Sequence, residues 1–313
     1  MLQMFQSLFK LLMYMGAVLT FLSFTVFLVT NWNFAQLVMA YAGLLTLILV
    51  IMYYSLSLYS FLFRKDQPND LFLLRDLFLM PISFAQFFGQ VWVGFRYRSH
   101  FPLPETYQQN NRYFFPLTGT WLVVNGGPDP DTSHSWDLIG QRFAYDFVVT
   151  DERGKTHRND GRRLEDYYAF GAPVLAPADG VVVKARDGYR DYPHPGALDP
   201  FAWNLLGNYV IIRHEGNEYS LLAHIRRGSV KVKRGDHVKR GQVVGEVGNS
   251  GNSSEPHLHF HVQDAPHFLL SASLPVRFSK YRRLASNGPS DGQFEQEEWV
   301  EEGFPVRGER IVG

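Results

Sequence analysis

The chain of 313 residues contains no cysteine. Disulfides, thiolate metal sites and cysteine nucleophiles are therefore excluded, and any metal must be held by histidine and carboxylate. It also lacks net charge, with 30 Lys plus Arg against 30 Asp plus Glu. No basic field or stripe is present to recruit nucleic acid. Charge is missing locally too: residues 11–30 and 34–63 carry no charged side chain. Each run reaches the roughly 20 apolar residues needed to cross a bilayer. A cleaved signal peptide has a shorter apolar core and no second run behind it. These runs read as two transmembrane helices joined at Asn31-Trp32-Asn33.

A third uncharged stretch, residues 77–95, lies between Arg75-Asp76 and Arg96-Tyr97-Arg98. Pro81, Ser83, Gln86 and Gln90 weaken it, so it reads as a third span or as a helix lying in the interface. Lys10, Arg64 and Lys65 flank the outer ends of the first two runs, which the positive-inside rule places in the cytoplasm. A third span exports everything that follows. The expectation is a membrane region over 1–98 with two to three transmembrane helices, in contact with lipid.

Helical periodicity is nearly absent beyond residue 99. Short runs rich in Val, Ile, Tyr and Phe alternate with Gly, Pro, Asn and Asp, the pattern of an all-β domain. Strands are expected at 120–125, 143–150, 173–177, 180–188, 208–214, 218–225, 243–248 and 257–263. The domain is placed at 99–280. Residues 281–313, with Glu295, Glu297, Glu298, Glu301 and Glu302, read as a polar C-terminal tail.

What is abundant is histidine in one place. "PHLHFHVQ" sets His257, His259 and His261 at every second position. Strand side chains alternate faces, so the three share a side while Leu258 and Phe260 face the other. An apolar face would meet the core and a histidine face a groove; a solvated polar strand is the plainer alternative. His224 lies in "LLAHIRR", where alternation puts it with Leu222 and opposite Ala223. Asp146 sits within "RFAYDFVV", where a carboxylate is costly unless paired or metal-bound. Arg142 is its candidate ion-pair partner.

Residues 134–263 resemble the lysostaphin/LytM-type zinc endopeptidases. The stretches that carry the resemblance, in the family's order, are "YDF", "FGAPVLAPADGVVV", "GNYVIIRH", "YSLLAH" and "VKRGDHVKRGQVVGEVGNSGNSSEPHLHFHV". The resemblance implies a duplicated-hybrid-motif β fold, sandwich- or barrel-like, and one zinc ion. It implies Asp146 and His259 as zinc ligands, and His224 and His257 as the catalytic pair. The family's remaining ligand, a histidine four residues before the aspartate, is Arg142 here. His134 becomes the third ligand if the segment 134–142 loops back.

The implied substrate is the peptide part of bacterial cell wall, which places the domain on the outer side of the inner membrane. Tyr167, Tyr168, Asn208 and Ser250 are expected on the groove rim. His214 reads as a structural or rim residue. The alternatives are a non-catalytic LytM-like module that binds wall or activates another hydrolase, and a biotinyl- or lipoyl-type carrier. A carrier needs a lysine at a hairpin tip, and no suitable one lies between the two half motifs.

Overall fold

The structure, a computed structural model, describes residues 85–86, 88–98, 100–285 and 296–313. The two long uncharged runs lie outside the described residues. Among the described residues no helix is long and apolar enough to cross a membrane.

The β-rich segments assemble into one eleven-stranded sheet. In chain order its strands are β1 (Thr120–Asn125), β2 (Tyr145–Val148), β4 (Gly180–Arg186), β5 (Asn208–Arg213), β6 (Tyr219–Ile225), β7 (His237–Val238), β9 (Leu258–Gln263), β10 (Ser273–Leu274), β11 (Phe278–Ala285), β12 (Gln296–Gly303) and β13 (Arg310–Val312). Their order across the sheet is β12-β11-β13-β1-β2-β9-β6-β5-β4-β7, with β10 on β9. The remaining strands, β3 (Pro173–Leu175) and β8 (Val243–Glu246), pair with each other. Antiparallel pairing along the sheet lets one face meet the core while the other carries polar groups.

That division is visible on the central strands. Tyr145 and Phe147 of β2, Leu222 of β6, and Leu258, Phe260 and Val262 of β9 enter one core cluster. At roughly 25 cal/mol per Å² of apolar surface, these large side chains hold the register against a slip. A one-residue slip of β9 would turn its histidines into that core and Phe260 onto the polar face.

The described residues beyond 280 are not a tail. β11, β12 and β13 belong to the main sheet, and β13 lies between β11 and β1. The domain therefore extends past residue 280. β12, "QEEWVEEG", conceals this in sequence: it is an edge strand whose Glu and Trp299 side chains are exposed. Acidic residues suit an edge, because charge discourages pairing with other chains.

Within the third uncharged stretch, residues 88–97 are helical and lie on the β domain. Val93 is buried. A side chain at Gly89 would strike the Leu269 carbonyl. Gln90 Oε1 accepts from the Ile139 amide at 2.9 Å, and Tyr97 Oη donates to Asp264 at 2.6 Å. Val91, Trp92 and Phe95 face outward, Phe95 at 79% exposure.

Candidate metal centre

Strand register brings the centre together. Asn125 of β1 stands opposite Asp146 of β2, Asp146 opposite His259 of β9, and His259 opposite Ala223 of β6. Directly opposed residues share a face. Ala223 therefore occupies the histidine side, and simple alternation would send His224 to the other.

A β-bulge corrects this. Asn208 pairs with Ile225 and Tyr209 with Ala223, so His224 is the extra residue, with φ at 60°. Bulges re-aim side chains, and a left-handed non-glycine residue costs about 1–3 kcal/mol that its surroundings must offset. The ring of His224 comes to 4.7 Å from that of His257 and 5.8 Å from that of His259, centroid to centroid. The bulge therefore brings His224 beside His257 and His259, where alternation alone would not.

The bulge is fixed from behind by Asn208 and Ser250. Ser250 Oγ donates to the Ile225 carbonyl at 2.7 Å and accepts from the Asn208 amide at 2.9 Å. Both residues are fully buried, so neither is a rim residue as expected. Tyr167 is buried as well. His214 is structural: it bonds the Asp179 carbonyl at 2.7 Å and Ser220 Oγ at 2.8 Å.

Hydrogen bonds identify the nitrogen each ring offers. His224 Nδ1 lies 2.8 Å from the Ser250 carbonyl, and His257 Nδ1 lies 2.8 Å from the Glu255 carbonyl. A carbonyl only accepts, so both Nδ1 atoms carry protons and both Nε2 atoms are left to the centre. His259 differs, with Nδ1 at 2.8 Å from Asp146 Oδ1. His257 Nε2 is 3.7 Å from the same oxygen. Burial pushes the pKa of His224 well below its ordinary value, and neighbouring His257 and His259 push it the same way. Burial alone would raise that of Asp146, but the bond from His259 and the adjacent imidazoles carry it below the usual carboxylate range.

Arg142 does not pair with Asp146. Its Nε donates to the Trp136 carbonyl at 2.9 Å, and its guanidinium lies over the rings of Trp136 and Phe101. The segment before it loops back: Ser133 Oγ donates to the Arg142 carbonyl at 2.8 Å. The His134 amide donates to Asn125 Oδ1 at 2.8 Å, beside the strand that carries Asp146. The His134 ring is exposed.

Zinc takes imidazole nitrogen and carboxylate oxygen, commonly four donors in a tetrahedron. The donor chemistry fits, because Asp146 Oδ1 and His259 Nδ1 already converge. The third donor is not in place: among the described residues no three such groups are arranged to hold a metal ion.

Parts of the chain are similar to known proteins. Residues 164–268 match the model of Peptidase family M23. The matched span contains His224, His257 and His259 and begins after Asp146. Peptidoglycan DD-endopeptidase ShyA of Vibrio cholerae is 37% identical over 112 residues, which is 35% of this chain and 22% of that protein. ShyC of the same organism, also a peptidoglycan DD-endopeptidase, is 36% identical over 144 residues, 46% of this chain and 29% of the other. The chain thus spans less than a third of either relative. The catalytic domain of the prophage-encoded M23 protein EnpA from Enterococcus faecalis aligns over 50% of this chain and 88% of that one at 20% identity. Its TM-score of 0.32 is too low to add weight.

Proposed function

We propose that the chain is a membrane-anchored zinc endopeptidase that hydrolyses peptide bonds of bacterial peptidoglycan. The observation that carries this reading is Asp146 Oδ1 and His259 Nδ1 facing each other at 2.8 Å beside two further imidazoles whose Nδ1 atoms are tied to backbone carbonyls. The M23 match and the peptidoglycan endopeptidases among its relatives supply the substrate class.

Asp146, His259 and His134 would hold the ion, His134 by turning its ring inward from the loop that Ser133 and Asn125 tie down. Zinc, when bound, lowers the pKa of a water and polarises the scissile carbonyl. His257 offers Nε2 to take the attacking water's proton and return it to the leaving amine. His224, neutral and tethered through Nδ1, presents an acceptor that orients the water. It has no proton on that nitrogen with which to bind an oxyanion.

The uncharged runs at 11–30 and 34–63 would anchor the chain in the inner membrane, with the β domain exported to its substrate. The outward Val91, Trp92 and Phe95 suit a helix lying against lipid.

The reading is tested by zinc content and muropeptide digestion of the purified full chain against His259→Ala and His134→Ala. Wild type should retain about one zinc and cleave, and both variants should lose both properties. A metal-free, inactive wild type would instead favour the non-catalytic module, which the arginine at 142 already suggests. Equal activity of wild type and His259→Ala would refute the assigned chemistry.

A further inference from the structure

The histidine face of the sheet continues away from the metal centre. Directly opposed residues run from His259 to Ala223, Tyr209 and Arg186, across β9, β6, β5 and β4. The next row runs from His261 to Leu221, Ile211 and Lys184. Tyr209 and Lys184 therefore share the face of His259. Over this part of the face lies a cleft of about 460 Å³, lined by Lys184, Trp203, Leu206, Tyr209, Phe268 and Leu270 among others. Its size is that of a small-ligand site, and so is its make-up, mostly apolar with few polar groups. Leu206 belongs to both places: it lines the cleft, and its carbonyl accepts from the His224 amide at 3.0 Å. The chemistry above uses none of these cleft residues.

No acidic residue lines the cleft, and Lys184 supplies an ammonium. Lys184 Nζ donates to His267 Nδ1 at 3.2 Å, which occupies one of the three ammonium donors. Trp203 and Leu270 stand at 69% and 45% exposure, apolar surface that a ligand would cover. We propose that the cleft is a substrate subsite that takes an anionic stretch of peptide, with a carboxylate on Lys184 and apolar groups against Trp203 and Leu270. β4 lies three strand spacings from β9, about 14 Å. An extended chain covers that distance in about four residues, so the carboxylate sits about four residues from the scissile bond. Naming the peptide as a peptidoglycan stem rests on the function proposed above; the preference for a peptide carboxylate does not.

The test measures, by calorimetry, binding of a cross-linked muropeptide to the full chain stripped of metal, so that no turnover intervenes. Lys184→Met should weaken binding about tenfold, the scale of one charge-assisted hydrogen bond, and Lys184→Arg should restore most of it. Converting the muropeptide's carboxyls to amides should cost wild type about the same factor and cost Lys184→Met little more. Trp203→Ala should weaken both ligands about fivefold. Peptide-free glycan strands should not compete. Binding that ignores Lys184→Met, or amidation that weakens both proteins alike, would overturn the subsite, as would displacement by the glycan or no binding at all. An inactive zinc-loaded wild type whose binding still depends on Lys184 would sink the peptidase reading and leave the subsite standing. Cleavage by a wild type whose binding ignores Lys184 would do the reverse.

Discussion

Two acidic side chains are sunk in this sheet, and their surroundings are opposite. Glu218, just before β6, is buried and saturated with donors. Oε1 accepts from Tyr107 Oη and the Asn110 amide, each at 2.6 Å, and from Asn110 Nδ2 at 3.0 Å. Oε2 accepts from Asn111 Nδ2 at 2.8 Å and Tyr113 Oη at 2.7 Å. Asp146 instead faces ring nitrogens, and one of them, His259 Nδ1, is a proton donor only if it holds a proton that the metal would displace. One carboxylate is satisfied by the fold and pins residues 107–113 to it. The other meets imidazoles instead, His259 at 2.8 Å and His257 at 3.7 Å. Burial alone distinguishes neither; the partners do.

The strongest way to break this contrast is at Asp146. Asp146→Asn should lower zinc affinity by more than about 100-fold, beyond what outer-sphere changes cost, and take muropeptide cleavage to background. A variant that keeps its zinc would make Asp146 structural after all. Next comes the missing histidine. Arg142→His, placed in His134→Ala, should recover zinc binding by about tenfold or more, read by chelator competition. No recovery would mean that the loop does not bring position 142 within reach of the centre.

Glu218→Gln should destabilise by about 1–3 kcal/mol in denaturant titration, since an amide turns an N–H toward groups that all donate. Zinc content should stay unchanged. A loss of zinc without a loss of stability would reverse the two assignments. The smallest effect is with pH. Burial alone would raise the pKa of Glu218, but its hydrogen bonds carry it below the ordinary value. Its stabilisation is therefore present above the unfolded-state pKa, near 4.3, and is lost as pH falls through the lower folded value. Denaturation midpoints from pH 6 to pH 3 should fall more steeply for wild type than for Glu218→Gln.

Much of the core was legible, because strands such as 120–125 and 208–214 announce themselves by β-branched and aromatic runs between turn residues. The grouping of Asp146, His224, His257 and His259 was legible from the family's motif order. The bulge was not: nothing in "LLAHIRR" states that His224 takes a left-handed backbone, which depends on Asn208 and Ser250 from distant segments. β12 was hidden by its acidic composition. β13 was hidden because it is only three residues long and buries one side chain, Ile311.

The position of β13 bears on how the chain is made. β1 leaves the ribosome long before residues 310–312, which occupy one of its two flanks. Until they emerge, that flank presents unpaired amides and carbonyls, a template for mispairing. The hairpin of β11 and β12 joins the rest of the sheet along β13, so a translation product stopped short of residue 310 should be aggregation-prone even with every histidine of the centre already synthesised.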